Sequence, residues 1–190
     1  MGSVDRPDDW KSSAVYLAGL VKSIRAAGLI EPVLAKVPPE TRAIADNPYG
    51  QRWHPWTHGA ALATAVLEVA GPRALEDVTF VMARDSFGPI LTPMLKVALT
   101  LMGMSPAAVF SRVDQSIKPA VQGVTARYES TGPSSGVVTF EYPMVPPVFA
   151  DTSWRGGLRF MFHLVGLEGR IAPCERLEGG RVLRYALSWG

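Results

Sequence analysis

A single cysteine, Cys174, occurs in the chain, so no disulfide can close within it. A run of charge of one sign is missing too. The 19 basic and 17 acidic residues are scattered in ones and twos, leaving no run that could track a phosphate backbone, so nucleic acid is not an expected partner. The polar start, Met1-Gly2-Ser3-Val4-Asp5-Arg6-Pro7-Asp8-Asp9, has no signal-peptide core, and with the lone cysteine it points to a cytoplasmic protein. A long hydrophobic run is also wanting. The richest stretch, from Pro89 to Met104, is shorter than the ~20 residues a bilayer needs, and Lys96 at its centre would cost roughly 2.5–3.5 kcal/mol. No membrane span is expected, and the stretch reads as a core helix. Phosphate-cradling glycine patterns are absent around Gly156-Gly157. Ser86, in Arg84-Asp85-Ser86-Phe87-Gly88, has neither a nucleophile elbow nor a histidine close in sequence. No catalytic constellation remains, and the expectation is a non-enzymatic protein.

What is present is a globular composition, 47% hydrophobic and 19% charged over 190 residues, enough for one sizeable core and hence a single domain spanning 1–190. The first half reads as helices. Val15, Leu17, Leu20, Val21 and Ile24 stripe a helix from Trp10 to Ala27, ended by Gly28. A short helical turn follows Pro38-Pro39, and Asn47-Pro48-Tyr49-Gly50 marks a turn. A third helix, striped by Leu62, Val66 and Val69, ends at Gly71, and Pro72 opens a fourth carrying Leu75, Val78 and Met82. The apolar fifth helix follows Pro93, and Ser105-Pro106 caps a sixth that runs towards Lys118-Pro119.

Past Gly123 the hydrophobic period falls from about 3.6 to 2, the mark of strands. Val124, Ala126 and Tyr128 pair across a turn with Val138, Phe140 and Tyr142 in an antiparallel hairpin. Ser153 is the expected cap of a helix striped by Leu158, Met161, Phe162 and Val165, with Arg155, Arg159 and His163 opposite. A strand from Arg170 to Leu177 then turns at Glu178-Gly179-Gly180 into a last strand carrying Leu183, Tyr185, Leu187 and Trp189. The expected class is α+β: an N-terminal helical bundle followed by a ββαββ unit with a four-stranded antiparallel sheet.

The run from Ala74-Leu75-Glu76-Asp77, the Ser105-Pro106 helix, the 124–142 hairpin and the sequence Arg170…Cys174…Gly179-Gly180…Tyr185…Ser188-Trp189 resemble the 4-vinyl reductase (V4R) type domains. They also resemble a related myxobacterial paralogous domain family of unknown function, with distant fold similarity to haem-nitric-oxide-binding and TRAPP Bet3-like domains. The likeness covers 55–190, leaving 1–54 as an N-terminal helical part. It implies an apolar pocket between helices and sheet, which some relatives use to sense hydrophobic molecules and others for protein assembly. Zinc-binding relatives use several cysteines where this chain has only Cys174, which counts against a structural zinc site. The Y-x-S-x-R signature of haem-nitric-oxide-binding relatives does not occur here.

The densest group of unusual residues is Tyr49-Gly50-Gln51-Arg52-Trp53-His54-Pro55-Trp56-Thr57-His58. A spacing of four would align His54 and His58 on a helix for a metal or cofactor, but Pro55 disfavours helical geometry at His54. The expected function is a sensory domain holding a hydrophobic small molecule in a cavity of several hundred Å³. Trp53, Trp56, His58, Met94, Phe140 and Phe162 are its expected wall or lid, and no metal site is expected. A homodimer or other interaction scaffold is the first alternative, and a haem or metal sensor acting through His58 the second.

Overall fold

The computed structural model describes residues 10–89 and 105–190. The expected fifth helix, and Met94 with it, lies outside the described residues. The chain enters through a short strand, β1 (Lys11–Ser13), where the sequence pattern gave only helix. Ser13 is the reason. Its hydroxyl accepts from the amide N–H of Tyr16 at 3.1 Å, capping α1 (Ala14–Ala26) and leaving the residues before it extended. β1 is the middle strand of a small antiparallel sheet, flanked by β2 (Trp53–Pro55) and β3 (Val121–Gln122). None of these three strands is long enough to show a period-2 pattern, so the sequence did not reveal them.

Two short helices follow α1: α2 (Ile30–Lys36), which was not foreseen, and α3 (Pro39–Asp46). The long α4 (Trp56–Met82) joins the expected third and fourth helices across a break at Gly71, whose φ of 81° belongs to the left-handed region. Pro72 then restarts the helix, as a first-turn proline can. A π-helical turn, Ala83–Phe87, continues α4. The expected sixth helix is divided into α5 (Pro106–Phe110), capped by Ser105, and α6 (Val113–Ile117).

The main sheet contains β4 (Thr125–Gly132), β5 (Ser135–Glu141) and β8 (Val182–Ser188), with β6 (Arg170–Ile171) and β7 (Glu175–Leu177) sharing the far edge of β8. The expected third strand is thus broken in two. Pro173 lies in the break, where it has no N–H to give to β8. Register sets Phe140 opposite Ala126 and Leu183, and Val138 opposite Tyr128 and Tyr185, on one face. The main-chain N–H of Trp189 reaches Ser134 O at 3.0 Å, tying the chain end to the β4–β5 turn. The class is α+β, with mixed helices and antiparallel sheets.

Helix α7 (Phe149–Leu164) starts four residues earlier than Ser153, so Ser153 is an interior position and not the cap. Leu158, Met161 and Phe162 are buried, each contributing about 1.5–3 kcal/mol. Against α4 the approach is closer still: a Cβ built on Gly156 would stand 2.1 Å from Thr79 Oγ1 and 2.4 Å from Glu76 O. The arginine stripe is not simply solvated. Arg155 pairs with Glu76 at 3.2 Å, and Arg159 with Glu76 and Asp77 at 3.1 and 2.8 Å. Among the described residues no helix is long and apolar enough to cross a membrane.

Candidate functional site

The β1–β2 pairing brings Trp10 over Trp56, with rings parallel within 3° and centroids 4.0 Å apart. Tyr142, just past β5, meets the Trp10 ring edge-on at 5.0 Å. Trp154, one residue after Ser153 on α7, donates its indole N–H to the Tyr142 hydroxyl and stacks on Phe140 at 3.9 Å. Four elements distant in sequence thereby build one aromatic chain, Trp56–Trp10–Tyr142–Trp154–Phe140. It walls a cavity of about 130 Å³. Met82, Ala83 and Phe87, at the end of α4 and in its π-helical turn, form another side, and Val113 and Ile117 of α6 close it with Leu158 and Met161 of α7. π-helical turns recur at functional sites, where they redirect side chains.

Polar atoms at this cavity are few and uncharged. Among the described residues Ser12, Tyr16, Thr79, Ser116, Tyr142 and Ser153 bring hydroxyls and Trp10, Trp56 and Trp154 indole N–H groups, and no carboxylate, guanidinium, ammonium or imidazole lines it. Ser153 Oγ is buried without a hydrogen-bond partner. Thr79 is already committed, donating back to Leu75 O at 2.9 Å. Tyr16 is only half-buried by surface area, yet burial pushes its phenol up to about 12. Those two observations agree if the surface Tyr16 exposes belongs to the cavity. Tyr142 is pushed up as well, first by burial.

Desolvation favours the neutral phenol in the folded state, so this contribution to stability is intact below the unfolded-state value near 10 and is lost as pH rises towards 12. Urea midpoints are therefore expected to fall between pH 10 and 12, and less steeply for Tyr16→Phe. An alkaline limb identical in wild type and variant would contradict the burial of this phenol.

Of the residues expected at the site, Trp56 and Phe140 line the cavity, whereas Trp53, His58 and Phe162 do not. Phe162 packs edge-on against Phe110 at 4.9 Å, on the far side of α7's stripe. His58 Nδ1 is 3.0 Å from Thr41 Oγ1 and ties α4 to α3; burial, with His54 nearby, lowers its pKa. His54 Nε2 donates to Pro48 O at 2.7 Å from a position in β2, so Pro55 does separate the two imidazoles into different elements. His163 is exposed, edge-on to Phe80. Residues 90–104 contain no histidine, cysteine or tyrosine. Among the described residues no group of three or more His, Cys, Asp or Glu could hold a metal ion.

Trp10, Tyr16, Tyr142 and Trp154 were not foreseen as site residues. For Trp154 a signal existed: it lies four and seven residues before Leu158 and Met161, on the same helical stripe. Tyr142 likewise continues the face of Val138 and Phe140. Trp10 and Tyr16 depend on the β1–β2 pairing, which no pattern announces.

A family model described as a protein of unknown function, DUF2378, matches residues 53–190. No curated protein matches the chain. The fold resembles the Fe(II) unliganded H-NOX protein from K. algicida, at 12% identity and a TM-score of 0.64, covering 94% of this chain and 96% of that one. An oxygen-binding H-NOX domain related to soluble guanylate cyclases is similar at 7% identity and a TM-score of 0.55, over 93% and 94% of the two chains. A structure from work on haem distortion in the H-NOX family has 10% identity and a TM-score of 0.56, again over 93% and 94%. The distant likeness to haem-nitric-oxide-binding domains is thus present in the fold, while the family matched is not described as V4R.

Proposed function

The chain belongs to the DUF2378 family of proteins of unknown function, and we propose that it is a non-enzymatic sensory domain binding a small apolar molecule in the aromatic cavity. The observation carrying this reading is the cavity itself: apolar walls from α4 and its π-helical turn, α6, β3, β5 and α7, with a few neutral polar groups among them, the composition of a ligand site. At about 130 Å³ it is smaller than the several hundred expected, of the size of an engineered cavity that takes up benzene. The H-NOX-like fold supports a sensor, since one such neighbour is described as oxygen-binding.

Haem is the cofactor that these neighbours bring to mind, and one is described through its haem distortion. Haem iron is held by an imidazole, thiolate, thioether or phenolate. Here the three histidines and Cys174 lie off the described cavity wall, Tyr16 and Tyr142 are held as neutral phenols, and a thioether such as that of Met82 or Met161 on the wall holds haem iron in company with a histidine, which the wall lacks. The described residues do not fit an imidazole-bound haem, and the ligand we propose is a free organic molecule. The dimeric scaffold has no comparable observation behind it.

Gly157 offers the test. It borders the cavity, and a Cβ built on it would meet only Trp154, at 3.8 Å, among the described residues. Gly157→Leu is expected to fill the space, leave thermal stability unchanged or raised, and abolish uptake of a one-ring apolar probe such as toluene, read by ligand-observed NMR. Undiminished probe binding by a folded Gly157→Leu would overturn the assignment.

A further inference from the structure

The cavity's polar atoms narrow the ligand's chemistry. This step rests on the cavity being the binding site. Tyr142 accepts the indole N–H of Trp154, which leaves its own O–H to donate elsewhere. Tyr16 lines the same cavity as Tyr142 and brings a second phenol hydroxyl to its wall. Two phenols thus line one cavity, held neutral by their burial. Ser153 Oγ, unpartnered on the α7 wall, is a third group able to donate. The described wall carries no charge to balance an ionic ligand, and burying one unpaired would be strongly unfavourable.

We infer that the ligand is an uncharged molecule of roughly one ring's size bearing a carbonyl-type oxygen, which accepts hydrogen bonds from Tyr142 and Tyr16 while its apolar body fills the space among Trp10, Trp154 and Phe140. Tyr142 is then the residue that sets specificity. A site built to donate to an oxygen discriminates against a molecule of the same shape that lacks it, because the buried hydroxyls stay unsatisfied.

The experiment compares cyclohexanone with methylenecyclohexane, nearly the same shape without the oxygen, by ligand-observed NMR titration of the full chain. The ketone is expected to bind about tenfold more tightly, matching one net hydrogen bond. Tyr142→Phe should erase most of that preference, weakening the ketone's binding and not the hydrocarbon's, and Tyr16→Phe, which leaves the Trp154 contact intact, should reduce it. Equal affinities in wild type, or a preference untouched by both variants, would overturn the inference while leaving the cavity's role as a binding site standing. Binding of neither molecule would overturn both.

Discussion

Gly156→Val is expected to destabilise the protein by about 3 kcal/mol, at the upper end of what overpacking costs. The reason is geometric. Built on Gly156, a Cβ lands 2.1 Å from Thr79 Oγ1, 2.4 Å from the carbonyl oxygen of Glu76 and 2.8 Å from the main-chain nitrogen of Phe80. A side chain could swing away; two backbone atoms of α4 cannot without parting the helices. Thr79 is itself held by its bonds to Leu75 O and Glu76 O. The control is the neighbouring glycine. Gly157→Ala places its methyl in ordinary contact with the Trp154 ring, at 3.8 Å, and, by removing a mid-helix glycine, should stabilise by about 0.5–1 kcal/mol. Urea denaturation of the pair measures both, and shifts of the same sign and size would refute the close crossing of α4 and α7.

That contrast also shows what the sequence could disclose. Gly156-Gly157 looks like one feature, and its two members have opposite roles because they point to different neighbours around one helical turn. Periodicity resolved the elements whose patterns run for several turns or rungs: the α1 stripe, the helices on either side of Gly71, the β4–β5 hairpin and β8. It failed where a contact between distant segments decides the conformation. Lys11–Ser13, directly after Trp10, is extended because β1 pairs with β2 and β3, and those partners lie far along the chain. The same pairing assembles the Trp10–Trp56 stack, so Trp10, one of the three members of the aromatic chain that sequence reasoning overlooked, is placed by long-range pairing. The histidines show the converse. Their spacing was visible, but a strand at His54 and a helix at His58 give each a separate partner.

Replacing Arg176 by methionine should cost about 2–3 kcal/mol and weaken ligand binding at a distance from the cavity. From β7, its guanidinium donates through Nε and Nη2 to both carboxylate oxygens of Asp151, at 3.0 and 2.6 Å, and to Pro146 O and Pro147 O at 2.9 and 3.1 Å. These prolines lead directly into α7, and Asp151 is in its first turn, where the helix dipole also favours a carboxylate. Tyr185 adds an O–H bond to Asp151 O at 2.9 Å. Arg176 therefore fixes the start of the helix that delivers Ser153 and Trp154 to the cavity. Both members of the pair are 27% exposed, so the cost falls below the 3–5 kcal/mol of a fully buried pair broken on one side. Removing the guanidinium alone strands a carboxylate and two proline carbonyls. If that is the source of the cost, Asp151→Leu added to Arg176→Met should recover part of it, giving a double-mutant coupling of at least 1 kcal/mol. Strict additivity would show instead that Arg176 acts only through its bonds to the proline carbonyls, and unaltered probe affinity in Arg176→Met would show that the start of α7 does not position the cavity wall.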